Sequence, residues 1–422
     1  MYCGSCLHDN ALAKALIGLG HDALLVPMYT PIRTDEQDVS SPRLFYGGLN
    51  VYLQQLSPLF RWLPNWSDRF LSSPWLVNWI ASRSMGTSAA SLGALTVSML
   101  KGSQGNQRKE AQRLCAWLRE LQPDVVIFSN LLIAGCVDEL KRQVGCPVVV
   151  MLQGDDIFYA GLAEPYRQQA LQELRKLAQR VDLFVVHSRE YGQRMQALLG
   201  FTDDAWRVNP LSIDAADFGP LDAEPLQTDS LPVERKPTIG YLARLAPEKG
   251  LHVLVDAFIE VASRPHMSQV QLAVAGWLGK QHEAYWQEQL DKLAAAGLSQ
   301  RLSYHGSVDR AGKLKFLQAI DVLCVPTTYH EPKGLFVLEG LAAGVPYLQP
   351  AHGAFPEMHA RHGGGYLFDA EAPGALADRL AEILLDVDGL RLLGWQGRQK
   401  LLALDTTPHA AARLVELLSA VR

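Results

Sequence analysis

The chain has 422 residues, a formal net charge of −5 and an isoelectric point near 6.2; 48% of its residues are apolar and 20% are charged. That length exceeds one ordinary hydrophobic core and implies two domains or three. The composition excludes bulk disorder, the charge argues against nucleic acid as the main partner, and no run is apolar enough to span a bilayer.

Taken in chain order, MYCGSCLHDNALAKALIGLGHDALLVPMY opens on a Gly-containing turn and a helix, and ALLVPMY predicts a strand. A doubly wound domain ordinarily begins with a strand that delivers such a loop, and here that first strand is missing. Either the chain starts further upstream or the fold tolerates an empty edge. Cys3 and Cys6 have neither a thioredoxin-like context nor two further ligands at short spacing, so they read as small residues in a tight turn. Six cysteines are too few for a disulfide framework. With no secretory leader read at the start, the cytoplasm is the expected compartment.

Residues 31–106 break the rhythm of the rest. LSPLFRWLPNWSDRFLSSPWLVNWIASR crowds Trp62, Trp66, Trp75 and Trp79 into helical spacings. One reading is an inserted helical hairpin that buries its tryptophans; the other is a lipid-facing or acceptor-binding lid. SMGTSAASLGALTVSML (84–100) reads as a packed helix. Beyond it, PDVVIFSN (123–130), CPVVVMLQG (146–154) and VDLFVVHS (181–188) predict buried strands, each followed by a helical pattern. PTIGYLA (237–243), VQLAVAGW (270–277), LSYHG (302–306) and IDVLCVPT (320–327) repeat the scheme. Near-continuous apolar strands alternating with helices imply parallel sheets covered on both faces. The aperiodic, Pro-containing segment 217–238 is the natural linker. The expectation is therefore α/β: two doubly wound domains facing across a cleft, residues 1–222 and 233–397. A helix over 398–422 is expected to pack back toward the first domain.

The chemistry centres on YHEPKGLFVLEGLAAGVP (329–346). Pro332 suits a first turn, and Gly344 followed by Pro346 ends the helix, which is predicted over about 334–343. Glu331 feeds its N-terminus and Glu339 lies within it, roughly 10 Å apart at 1.5 Å per residue. That span suits two sugars flanking a diphosphate, with the helix mouth as the anion site and Gly334 admitting close approach. The alternative for Glu339 is a buried pairing with an Arg or Lys elsewhere. In IGYLARLAPEKGLHVLVDAF (239–258), Arg244 and Lys249 flank a loop that opens a helix, as a diphosphate clamp would require. The alternative is exposed loop charges, with Glu248 neutralising Lys249.

These residues resemble the retaining glycosyltransferases of family 4, which have the GT-B fold. The resemblance rests on Glu331 and Glu339 inside HEPKGLFVLEGLAAGVP and on Arg244 and Lys249 in GYLARLAPEKG. It extends to VAGW, HGSV, HGAFPEM and GGGYLF, so it covers essentially the whole second half. The first half matches more loosely, through GSCLHDNALAKALIGLGHDALLV and QGDD. It implies transfer of a sugar from a nucleoside-diphosphate sugar, with retention and no metal or other cofactor. By that match Glu331, Arg244 and Lys249 are catalytic. Glu339, Gly334, Leu335, Phe336, His330 and Gly4 bind the donor, while Gln153, Asp155 and Lys333 lie on the acceptor or sugar side. Gln153 stands where the family usually has His, and Lys333 where an aromatic is common. Partners would be the nucleotide sugar and a glycan or lipid-linked acceptor, with peripheral membrane association open. A non-catalytic nucleotide-sugar-binding scaffold and an epimerase on the same fold are the alternatives.

Overall fold

The structure, a computed structural model, describes residues 4–28, 37–46, 51, 54–55, 92–219 and 236–421. The chain divides into two compact units: Ser5–Pro210 with Ala411–Arg422, and Met1–Gly4 with Leu211–Ala410. Trp62, Trp66, Trp75, Trp79, Cys3 and most of the linker lie outside the described residues.

In the first unit, β1 (Val126–Phe128), β2 (Val148–Met151), β3 (Leu183–Val186) and β4 (Trp206–Val208) form a parallel sheet in that order. Ile127 lies opposite Val149, Val150 opposite Phe184 and Val185 opposite Arg207. VVVM and LFVV are buried throughout, which is why they lack polar alternation. Helices Val137–Gln143, Tyr166–Ala178 and Arg189–Leu199 make the crossovers. The last is capped by Ser188, whose hydroxyl accepts from the Tyr191 amide, and ends at Gly200 with φ 78°.

The expected strand ALLVPMY is not one. It makes only isolated bridges, Leu25 to Ser40 and Met28 to Phe45. Pro27 supplies no amide donor to a ladder, which helps keep the pairing from propagating. β4, missed from sequence, carries Trp and Arg on a half-covered strand and so lacks the apolar run that marked its neighbours.

The second unit has a six-stranded parallel sheet in the order β10-β9-β8-β5-β6-β7. Its strands are β5 (Thr238–Leu242), β6 (Gln271–Ala275), β7 (Leu302–Tyr304), β8 (Val322–Cys324), β9 (Tyr347–Pro350) and β10 (Gly365–Phe368). The strand order reverses between β5 and β8. In such sheets this is the switch point beyond whose carboxyl ends ligands bind. Helix Leu335–Ala342 is buried along Phe336, Val337, Leu338 and Leu341, which accounts for its apolar sequence.

The segment 398–422 is not one helix. Helices Val387–Leu404 and Thr407–Ser419 meet at a break at Asp405 and Thr406. There the Ile213 amide donates to the Asp405 carbonyl (3.1 Å) and the Thr407 amide to the Ile213 carbonyl (3.0 Å). The buried Asp405 carboxylate accepts from His362 Nε2 at 2.7 Å and from Arg361. Burial raises its pKa, but those two partners outweigh burial and hold it at about 2. Among the described residues no helix is long and apolar enough to cross a membrane.

Candidate functional site

The loops leaving β5 and β8 meet at the switch point. From β5 the chain runs through Arg244 into a tight turn, Pro247–Lys249, and enters helix Leu251–Ala262 at Gly250. Gly250 has φ 74°, and a Cβ there would stand 1.8 Å from the Pro326 carbonyl oxygen. Only glycine brings the β5 loop this close to the end of β8.

Lys249 points across to the second loop. Its ammonium donates to Glu331 Oε2 and to the Tyr329 hydroxyl, both at 2.6 Å, and lies over the Tyr329 and Phe336 rings at 5.0 and 5.7 Å. An ammonium carries three donors. The third N–H of Lys249 has no partner among the described residues. The Tyr329 hydroxyl donates to Glu331 Oε2, while Glu331 Oε1 accepts from the amides of Lys333 and Gly334 at 3.4 and 3.3 Å. Burial alone would raise the Glu331 pKa; the Lys249 charge and hydrogen bond, Tyr329 and the Gly334 amide reverse that and bring it to about 2. Burial and the neighbouring Glu331 charge push the Tyr329 hydroxyl far up, so it stays a donor.

A second strap fixes the loop from below. The Ala354 amide donates to the Glu331 carbonyl at 2.8 Å. A Cβ on Gly353 would fall 2.6 Å from the Glu331 nitrogen. His330, exposed, stacks on His352 with ring centroids 5.0 Å apart and planes 18° from parallel. Gly334 (φ 72°) caps helix Leu335–Ala342, with Leu335 half-buried and Phe336 buried beside Phe355.

The structure thus brings Lys249, Glu331, Lys333, Gly334 and Phe336 together. Arg244 is different: it is 42% exposed and pairs with Glu248 at 3.1 Å. Glu248 therefore neutralises Arg244 and not Lys249. Glu339 pairs with Lys313 at 2.7 Å, in a setting where both side chains keep only 12–15% exposure. The pairing left open from sequence is real, and Lys313 is its partner. Sequence reasoning missed both Tyr329 and Lys313. Tyr329 stands two residues before Glu331, whereas Lys313 is brought in by a separate helix, Arg310–Ala319.

Gly4, Gln153 and Asp155 lie elsewhere in the chain. Gly4 starts the first helix. Gln153 is buried and donates through Nε2 to Asp9 Oδ1 (2.9 Å) and the Ser129 carbonyl (3.2 Å). Asp155 accepts the Leu131 amide at 2.6 Å and the Gln153 amide at 3.0 Å, one on each oxygen. Burial dominates those bonds and raises its pKa to about 6. The neighbouring Tyr191 hydroxyl accepts the Gly154 and Asp155 amides and donates to Asp156. Asp155 is thus spent on shaping its own loop.

Residues 222–399 match the sequence profile of the family described as glycosyl transferases group 1. That region is similar to the group 1 glycosyltransferases. Phosphatidyl-myo-inositol mannosyltransferase of Mycobacterium leprae is 34% identical over 148 residues, 35% of this chain and 37% of that protein. The chain spans 37–47% of the length of the first curated relatives it matches. Sucrose-phosphate synthase from Thermosynechococcus elongatus superposes with a TM-score of 0.68 at 19% identity, covering 97% of this chain and 91% of that one. Anabaena HepE in complex with UDP-glucose gives a TM-score of 0.59 at 17% identity, over 94% and 99% of the two chains. The fold is GT-B.

Proposed function

We propose that the protein transfers a sugar from a nucleoside-diphosphate sugar to a hydroxyl of an acceptor, with retention and without a metal. The observation that carries this reading is Lys249, an ammonium fixed by Glu331 and Tyr329 with one N–H left to give, at the switch point beside Arg244. In the transfer, the bond from the anomeric carbon to the departing phosphate oxygen breaks and a bond to the acceptor oxygen forms. The acceptor proton leaves with the phosphate. Negative charge therefore grows on the diphosphate, where preorganised cations stabilise the transition state most. Arg244 supplies a bidentate fork and Lys249 a point charge, the work a metal would otherwise do.

Glu331 is the positioning residue that holds Lys249 in this scheme. Its oxygens are engaged internally, so we assign contact with the transferred sugar to the groups around it, exposed His330 and half-buried Lys333, with the Leu335 and Phe336 backbone. Glu339 accepts the ribose hydroxyls, held in place by Lys313. The names of relatives support a polyol or lipid-linked acceptor, and the HepE complex supports a nucleotide-sugar donor. We place the reaction in the cytoplasm, at the membrane face if the acceptor is a lipid.

A thermal-shift screen of nucleotide sugars, including GDP-mannose and UDP-glucose, tests the proposal. A ligand at 100 times its Kd adds about 2.7 kcal/mol, so the true donor stands out. Arg244→Ala should weaken its binding about 10- to 100-fold, the effect of losing hydrogen bonds to a charged partner. If no nucleotide sugar shifts the midpoint, or Arg244→Ala binds as tightly as its parent, the proposal fails.

A further inference from the structure

The first unit contains a second carboxylate arrangement that the scheme above leaves unused. Helix Gly4–Gly18 presents His8, Asp9 and Asn10 in succession. Asn10 is fully buried and locks the helix in place: its Nδ2 donates to the Gln37 carbonyl at 2.9 Å and its Oδ1 accepts the Val39 amide at 3.0 Å. His8, also buried, sets its ring edge-on to His187 at 4.7 Å, and His187 Nδ1 meets the Asn209 carbonyl at 3.0 Å. Asp9 is fixed between these anchors. Its Oδ1 takes Gln153 Nε2 at 2.9 Å and His8 Nδ1 at 3.1 Å; a carboxylate only accepts, so both nitrogens donate.

Oδ2 is the other half of the group. It receives no donor among the described residues, and the side chain keeps 14% exposure. Ser129, Gln153 and His187, which surround this position, each follow a strand: β1, β2 and β3 respectively. Asp9 therefore sits at the carboxyl edge of a parallel sheet, where α/β domains take their ligands. A carboxylate tethered through one oxygen, with the other open at such an edge, has its direction fixed before anything binds. An alcohol O–H is a donor that such an oxygen accepts.

We infer that Asp9 is a specificity-determining residue that accepts a hydrogen bond from a sugar-ring hydroxyl of the substrate, with Gln153 and His8 positioning its carboxylate. The inference rests on the glycosyl-transfer reading. The hydroxyl can belong to the transferred sugar or to a polyol acceptor; both present the same chemistry.

The test uses the full chain and Asp9→Asn. Affinity for UDP and GDP, which lack the transferred sugar, is measured by calorimetry. Turnover of UDP-glucose and GDP-mannose is measured as nucleotide release, in water alone and with myo-inositol as the probe acceptor. The expected result is unchanged nucleoside-diphosphate affinity with kcat/KM down about 10- to 100-fold, the range for one hydrogen bond to a charged acceptor. A loss already present in water alone assigns the hydroxyl to the transferred sugar; a loss only with myo-inositol assigns it to the acceptor. Unchanged kcat/KM, or a parallel fall in nucleoside-diphosphate affinity, overturns the inference and leaves the glycosyl-transfer reading standing. A parent chain that neither binds nor cleaves any nucleotide sugar removes both. Should Asp9→Asn fail to fold, Asp9→Glu carries the same two readouts, since its longer arm misplaces the oxygen while keeping the charge.

Discussion

Replacing Glu331 with Gln removes one charge and almost no volume. The carboxyl is held at about 2 against an ordinary 4.5, and a tenfold change in proton affinity is worth about 1.4 kcal/mol. The ionised group therefore contributes on the order of 3 kcal/mol at neutral pH. A separate argument arrives at the same size. Lys249 keeps only 12% of its side chain exposed, and breaking a buried pair from one side costs about 3–5 kcal/mol. A domain of this size loses about 2–4 °C of melting midpoint per kcal/mol, so Glu331→Gln should melt roughly 6–12 °C below its parent at pH 7. The pH dependence has a definite sign. The folded pKa lies below the unfolded one, so the stabilisation is complete above 4.5 and is lost as pH falls toward 2. The gap between parent and variant should stay constant from pH 8 to about 5 and close below that. Adding Lys249→Met should recover part of the loss, because the double variant leaves no unpaired charge. Thermal melts followed by circular dichroism give the answer. A midpoint within about 2 °C of the parent at pH 7 would refute the reasoning, since it would mean that the pair is hydrated and worth little.

Gly250→Ala should destabilise by at least about 2 kcal/mol, from the left-handed backbone together with the clash on the Pro326 carbonyl; chemical denaturation checks it. Glu339→Gln should weaken GDP or UDP about 10- to 100-fold and leave 2′,3′-dideoxy analogues unaffected, as calorimetry would show; equal losses for both would remove Glu339 from the ribose. Asp405→Asn breaks a buried cluster with Arg361 and His362 and should cost about 3 kcal/mol, read as a lower melting midpoint with donor affinity at saturation unchanged.

Much of the second unit was legible because its signals are local. TIGYL and VLC are apolar runs that can only be buried strands, and Gly334 and Ala343 mark the helix ends within a residue of where they fall. β9 and β10 were harder, because YLQP contains Gln and Pro and GYLF follows two glycines. The break at Asp405 was overlooked: Pro408 in LLALDTTPHAAARL marks a helix start, and the tertiary partners Ile213, Arg361 and His362 hold the turn there. The same limit applies to the charges. Sequence singled out Arg244, Lys249, Glu331 and Glu339 as candidates, but not which cation faces which carboxylate. That is decided by loops about 80 residues apart, as in the 82-residue separation of Lys249 and Glu331.

At the switch point Arg244 and Lys249 are each paired with a carboxylate, Glu248 and Glu331 respectively. A pyrophosphate approaching from solution meets little long-range attraction and is held mainly by contact, so its capture should depend only weakly on ionic strength. In the proposed transfer the same pairing favours product escape, because Arg244 and Lys249 keep their carboxylates when the nucleotide departs. A steep slowing of nucleotide capture by salt would contradict this picture.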